Sequence, residues 1–339
     1  MSAARSRART AKHRLEYAAF RALTALLRVL PERAALRLGA ALGVLAGPVL
    51  GIRRRVVREN LARAFPGRPP AWRRAVARAA WAHLGGEAAA LFRMGPAGAR
   101  ALLERTTVVG LDALRAALDE GRGAVLVTGH LGNWEIGGAA LAARGVRLHA
   151  VAQAQANPHF SADLRALRER MGMTVIDRRA VTRAVLRALR SGGAVAFVAD
   201  QDAGARGLSV DFFGSPASTA RGPALFALRT GAPLFLGVVL REPGKPHRYT
   251  VTIERVGAEP TGDVRADVRR LTAAHVEELE RAVRRAPTQY FWPHRRWKTE
   301  PPAGTGASDC CIEHVPGVRQ PRWSRDFHGG PAAGGRPCT

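Results

Sequence analysis

Ala124-Val-Leu-Val-Thr-Gly-His-Leu-Gly-Asn-Trp-Glu135 decides the fold. Its first four residues are apolar, partly β-branched and preceded by Gly123, which predicts a short buried strand. Ile136 to Arg144 reads as a helix. His130 and Glu135 therefore fall on the loop between the carboxyl end of a strand and the next helix, where ligands bind in open α/β sheets. A histidine with a carboxylate five residues on can act as a base and its orienting partner. Gly129 and Gly132 remove side-chain bulk where a substrate must come close. The bland alternative is a capped loop whose histidine only bonds the backbone. A dinucleotide-binding fingerprint is excluded, because Gly129, Gly132 and Gly137 do not give G-x-G-x-x-G and His130 and Trp134 would crowd a pyrophosphate.

Working outward, strands and helices alternate. Strands are expected at Arg147 to Gln153, Thr174 to Ile176 and Ala194 to Ala199, with helices from Asn157-Pro158 to about Met171 and from Ala180 to Arg190. Asp200-Gln-Asp202 follows the third of these strands, on the same face as His130 if the strands are parallel. Gly204 to Gly214 reads as a loop, and Ser218-Thr219 as the cap of the next helix. Leu234 to Leu240 and Tyr249 to Glu254 form a hairpin, and Asp263 to Arg285 a long amphipathic helix. The pattern predicts an α/β fold with a mostly parallel central sheet flanked by helices.

The amino-terminal side is helical throughout. Met1 to Arg14 is basic, polar and expected to fray. Leu15 to Leu30, Arg53 to Phe65, Ala71 to Met94 and Gly110 to Glu120 read as helices. Ala34 to Ile52 is the most apolar stretch, with Arg37 its only charge and Arg53-Arg54-Arg55 directly after it. That order suits the cytoplasmic side of a membrane, spanning or lying on it; an ordinary buried glycine-containing helix is the alternative. Three regions result: a basic, membrane-associating helical region over 1–55, an α/β domain over 56–302, and a Gly/Pro-rich tail over 303–339 read as disordered. Gln289 to Lys298 is dense in aromatic and basic residues and reads either as a lipid-interface strip or as a clamp on the core.

The 339 residues carry 53 Lys+Arg against 27 Asp+Glu, a formal charge of +26. Such a balance suits an anionic lipid surface or an acidic carrier protein, or reflects only a GC-rich coding bias. Nucleic acid is the weaker partner, since no nucleic-acid module is recognisable. The three cysteines, Cys310, Cys311 and Cys338, all lie in the tail and imply no disulfide framework or zinc site.

His130-Leu-Gly-Asn-Trp-Glu135 resembles the H-x4-[D/E] box of the glycerolipid acyltransferase superfamily, and specifically that of the bacterial lipid A biosynthesis lauroyl/myristoyl acyltransferases. Four more stretches match in order: Arg58-Glu-Asn-Leu-Ala-Arg-Ala-Phe-Pro66, Asp200-Gln-Asp-Ala-Gly204, Val210-Asp-Phe-Phe-Gly-Ser-Pro-Ala217 and Gln289 to Lys298. The phosphatidylinositol mannoside acyltransferases look similar but favour Asp where this chain has Glu135. The resemblance implies transfer of a fatty acyl chain, from acyl carrier protein or acyl-CoA as co-substrate, to a hydroxyl of a lipid A precursor at the cytoplasmic face of the bacterial inner membrane. It implies no metal and no bound cofactor. His130 is then the general base and Glu135 its orienting partner. Backbone N–H groups around Gly132-Asn133 would hold the oxyanion, Arg170 and Arg178 a phosphate of acceptor or carrier, and Asp200 a supporting or acceptor-binding position. A lipid-binding membrane protein without catalysis is the alternative of another class.

Overall fold

The computed structural model describes residues 2–94, 98–178, 181–245, 247–257 and 261–299. The tail expected to be disordered, with all three cysteines, lies outside the described residues. Five helices come first: α1 (Ser2–Val29), α2 (Glu32–Val44), α3 (Arg54–Ala64), α4 (Pro70–Met94) and α5 (Gly98–Arg105). A π-helical turn, Leu45–Val49, continues α2. The basic start is helical from Ser2, not frayed as its composition suggests.

The remaining chain alternates: β1 (Thr106–Val109), α6 (Leu111–Asp119), β2 (Ala124–Thr128), α7 (Trp134–Ala142), β3 (Leu148–Ala152), α8 (Pro158–Arg170), β4 (Thr174–Asp177), α9 (Val181–Arg190) and β5 (Ala194–Val198). Then come β6 (Leu208–Phe212), β7 (Ser215–Thr219), α10 (Gly222–Thr230), β8 (Leu234–Arg241), β9 (Tyr249–Val256) and α11 (Val264–Arg285). The sheet order is β1-β9-β8-β2-β5-β3-β4. β8, β2, β5, β3 and β4 are mutually parallel, and β9 runs against β8 as the expected hairpin.

Residues read as a loop and a cap instead form the hairpin β6–β7. Phe213 and Gly214 both have positive φ at its turn, the geometry that joins two twisted antiparallel strands in two residues. Ser218 and Thr219 are thus strand residues, and no side chain caps α10.

The central strand is buried on both faces. Val125 and Val127 point into one apolar layer with α10 and α11; Ala124 and Leu126 point into the other with α7. The connections leaving β2 and β5 therefore run to opposite faces of the sheet. Between two such neighbouring strands a crevice opens at their carboxyl ends.

α2 packs along α4 through a stripe of glycines. Gly39, Gly43 and Gly47 lie four residues apart, on one face of the helix, against Trp81, Gly85 and Ala89. Leu42, Leu45, Val49, Leu50 and Ile52 remain exposed on the other side. Among the described residues no single helix is long and apolar enough to cross a membrane; Glu32–Val49 with Arg54–Ala64 would pass only as a pair bent by 88°.

A Cβ at Gly43 collides with the backbone of Trp81, and one at Gly85 with the backbone of Gly39. Backbone cannot yield as a flexible side chain can, so Gly43→Val and Gly85→Ala should each destabilise by about 1–3 kcal/mol. A chemical-denaturation midpoint unchanged in both would show that the two helices do not meet here.

Candidate active site

The register of two parallel strands builds the centre. Thr128 on β2 lies opposite Val198 on β5, and the Ala199 N–H donates to the Thr128 carbonyl at 2.9 Å. The next residues out are Gly129-His130 on one strand and Asp200 on the other. His130 Nδ1 sits 2.6 Å from Asp200 Oδ1, and the His130 backbone N–H donates to Oδ2 at 2.9 Å. Burial pushes the Asp200 carboxyl upward, but the charge and hydrogen bonds of His130, with Arg296's charge, bring it down to about 2. Asp200 is therefore an ionised acceptor, and Nδ1 carries the donated proton. Nε2 is left as the acceptor, 3.3 Å from the Gln201 side-chain nitrogen. Trp134 packs edge-on to the imidazole at 4.6 Å between centroids.

This corrects the pairing expected from spacing. Glu135 does not serve His130; it takes Nε of Arg168 at 2.9 Å and Nη2 of the same guanidinium on its other oxygen. Gly132 has φ 61°, and this left-handed turn starts α7 so that its first-turn carboxylate faces α8 rather than the imidazole. Arg168 is the arginine brought to this loop. Arg170, two residues on, is exposed, and Arg178 is exposed just past the edge strand β4 with Gln153 as its partner at 2.8 Å. Neither meets the His130 group.

The Gly132 N–H, expected to face an oxyanion, is already engaged, and the Asn133 side chain holds the loop. The Gly132 N–H donates to the Gln289 carbonyl at 2.9 Å, and a Cβ at Gly132 would collide with the Val239 carbonyl. The Asn133 side chain caps α7 by accepting from the Ile136 N–H at 3.2 Å. Its amide donates to Glu87 Oε2 at 2.9 Å, as does the Tyr249 hydroxyl at 2.8 Å. Arg241 stands 3.3 Å from the other Glu87 oxygen. Burial raises Glu87 above the ordinary carboxylate range, against those three partners.

A strap after α11 closes the other side. The Phe291 N–H donates to the His130 carbonyl at 2.9 Å, and the Asp202 N–H to His294 Nε2 at 2.9 Å. Asn60 on α3 donates to the carbonyls of Trp292 and His294 at 2.8 and 2.5 Å. Trp292 and Arg296 are buried; the Arg296 guanidinium donates to the Ser218 carbonyl and the Thr219 hydroxyl, both at 2.6 Å. Of the two readings of Gln289 to Lys298, the clamp is the one seen. Gln201, Arg168, Glu87 and Asn60 join the expected residues at the site. Gln201 and Asn60 carry a signal, inside Asp200-Gln-Asp202 and Arg58 to Pro66; Arg168 and Glu87 carry none. Among the described residues no group of three His, Cys, Asp or Glu side chains is placed to hold a metal ion.

An imidazole backed by a buried carboxylate, at the crevice of an α/β sheet, has the geometry of a general base and its orienting partner. Comparison with known proteins names the reaction class. The description "Bacterial lipid A biosynthesis acyltransferase" matches residues 6–299. The chain belongs to that acyltransferase family. It is 30% identical over 275 residues to the lipid A biosynthesis palmitoleoyltransferase of Escherichia coli K12, covering 78% of this chain and 85% of the relative. It is 28% identical over 278 residues to the lauroyltransferase of the same organism, covering 80% and 88%. A phosphatidylinositol mannoside acyltransferase of Mycobacterium tuberculosis H37Rv is 36% identical over only 129 residues, 37% of this chain and 41% of that one.

Asp200→Asn should hold the ring in the wrong tautomer and lower kcat by about 10³–10⁴-fold. The imidazole 15N spectrum checks the partner: the Nδ1–H signature of His130 should disappear in Asp200→Asn and persist in Glu135→Gln. The opposite pattern would return the role to Glu135.

His275, buried on α11, has its pKa lowered to about 4 by burial and by Arg296's charge. It stays neutral in the folded protein while the unfolded chain takes up a proton near 6.5. The unfolded state thus binds more protons between pH 6.5 and 4, and stability falls as pH falls through that window. Denaturation midpoints measured across it should show a slope for His275→Gln shallower than wild type by about 1 kcal/mol per pH unit. Equal slopes would mean that His275 is free to protonate in the fold.

Proposed function

We propose that this enzyme transfers a fatty acyl chain from the thioester of acyl carrier protein or coenzyme A to a hydroxyl of a lipid A precursor. His130 Nε2 takes the hydroxyl proton as the oxygen attacks the thioester carbonyl. Asp200 fixes the tautomer and stabilises the imidazolium so formed. The tetrahedral intermediate then collapses; the C–S bond breaks, and the thiolate recovers the proton from Nε2. No covalent acyl-enzyme is needed. The contact between His130 and Asp200, in a chain of this family, is the observation that carries the reading. Gln201, 3.3 Å from Nε2, stands beside the point where the acceptor hydroxyl must dock.

The same proposal puts the enzyme at the cytoplasmic face of the bacterial inner membrane. Leu45, Val49, Leu50 and Ile52 are 44–67% exposed and run directly into Arg53-Arg54-Arg55. Apolar side chains beside a cationic cluster suit insertion into an anionic interface. The net charge of +26 also favours encounter with an acidic carrier, which makes the rate of transfer sensitive to salt. A phosphatidylinositol mannoside acceptor is the second reading, supported by the shorter match alone.

Purified enzyme given labelled acyl carrier protein and membrane lipid should acylate a glycolipid, and His130→Ala should lower that rate by about 10³-fold or more. Mass spectrometry of the product identifies acceptor and chain. Full activity in His130→Ala would remove it as the base.

A further inference from the structure

A second basic site lies behind the strap. A cavity of about 910 Å3 opens between the start of α3 and the end of the strap. Arg53, Arg63, Arg295 and Lys298 line it, with Asn60 and Trp297 in its wall. Two further arginines there are already engaged: Arg54 donates to the Pro48 carbonyl at 2.6 Å, and Arg55 to Glu59 at 2.7 Å. Arg63 lies over the Trp297 ring at 5.5 Å. Among the described residues, no carboxylate lies within ion-pair distance of Arg53, Arg63, Arg295 or Lys298. The lining's one carboxylate, Glu59, is paired with Arg55, so the other four cations around the hollow repel each other unless an anion joins them.

The backbone points the same way. Arg53 holds φ 54°, a left-handed conformation that a residue with a Cβ rarely adopts. Strain of this kind concentrates at ligand sites. The hollow is far larger than a bare phosphate, and within the size range of sites for small molecules. Its mouth adjoins the exposed apolar run ending at Ile52, and Gly51 is part of its lining. Its inner wall is shared with the catalytic centre: Asn60 holds the carbonyls of Trp292 and His294, while Phe291 and His294 hold His130 and Asp202.

We propose that this cavity seats the phosphate of the acceptor lipid, with the headgroup reaching around the strap toward His130 and the acyl chains against Leu45 to Ile52. The assignment rests on the acyl-transfer reading. Guanidinium groups give a phosphate paired hydrogen bonds, and Lys298 adds a point charge.

The test measures binding of the full-length protein to neutral phosphatidylcholine vesicles without any acyl donor, so it does not depend on transfer. The vesicles carry a phosphorylated glycolipid, the same glycolipid after phosphatase treatment, or phosphatidylglycerol at equal charge. Wild type should bind the phosphorylated glycolipid at least tenfold more tightly than either of the others. Arg63→Gln/Arg295→Gln/Lys298→Gln should remove that preference. The control Arg183→Gln/Arg269→Gln/Arg270→Gln, which removes three exposed charges outside the cavity, should keep it. If the cavity variant unfolds, Arg295→Gln alone serves, with a loss of at least threefold expected. Equal loss on phosphatidylglycerol would make the cavity a site for bulk anionic lipid and overturn the proposal, as would an undiminished preference in the cavity variants. Absence of acyl transfer with preserved phosphate preference would instead fault the acyl-transfer reading.

Discussion

A single charge-assisted hydrogen bond between neighbouring parallel strands organises the molecule. Its geometry is inherited from sheet register: once Thr128 faces Val198, the next turn out must bring His130 and Asp200 together. Nothing on the helices has to be tuned for that contact. What does have to be tuned is the loop. His130 leaves its strand and must come back within bonding distance of Asp200 by both its ring and its own N–H. Gly129 is the position where a Cβ would press on Leu279 and approach Asp200, so the absence of a side chain there lets the loop close.

The rest of the site is scaffolding for that loop, built from buried polar groups at some energetic cost. Glu87, desolvated beneath it, is tolerable only because Asn133, Tyr249 and Arg241 converge on its oxygens. In return it fixes the cap of α7. The strap secures the opposite side by backbone bonds from Phe291 to His130 and from Gly132 to Gln289. Gln289 then exchanges two side-chain bonds with the Arg241 backbone, at 3.0 Å each, which ties the strap to β8 and to the same network. Polar networks of this kind rigidify a site, and this one flanks the imidazole on two sides, although Glu87 Oε1 accepts no hydrogen bond.

Much of this was legible in the chain, and the failures have physical causes. The alternation of short apolar runs with helical stretches gave the parallel sheet and placed His130 and Asp200 at its carboxyl ends. Spacing along the chain points to Glu135, but spacing is not proximity. Residues 130 and 135 are separated by a left-handed turn and a helix start; residues 130 and 200 are joined by a register that no local pattern carries. The hairpin β6–β7 was hidden for a similar reason, since Ser215 to Thr219 contains proline and small polar residues and acquires strand geometry only by pairing with Leu208 to Phe212. Ala34 to Ile52 was ambiguous because one stretch does two jobs: its glycines face α4, and its larger apolar side chains face outward.

Charge shows most sharply why composition is a poor guide to function here. The excess of arginine is uniform as a sequence statistic and divided in the fold. Arg168 is neutralised by Glu135, and Arg296 is buried against the Ser218 carbonyl and the Thr219 hydroxyl, so neither guanidinium is open to a partner at the surface. Arg144 is likewise spent on the backbone carbonyl of Ala140 and the hydroxyl of Thr106. Arg53, Arg63, Arg295 and Lys298 come from two segments more than two hundred residues apart and converge on one hollow. Asn60 brings the segments together by binding the strap's carbonyls, so the structural contact that secures the catalytic loop also assembles the basic cavity. Substituting Asn60 would therefore disturb both at once, and the two sites are best separated through the exposed cations that only the cavity uses.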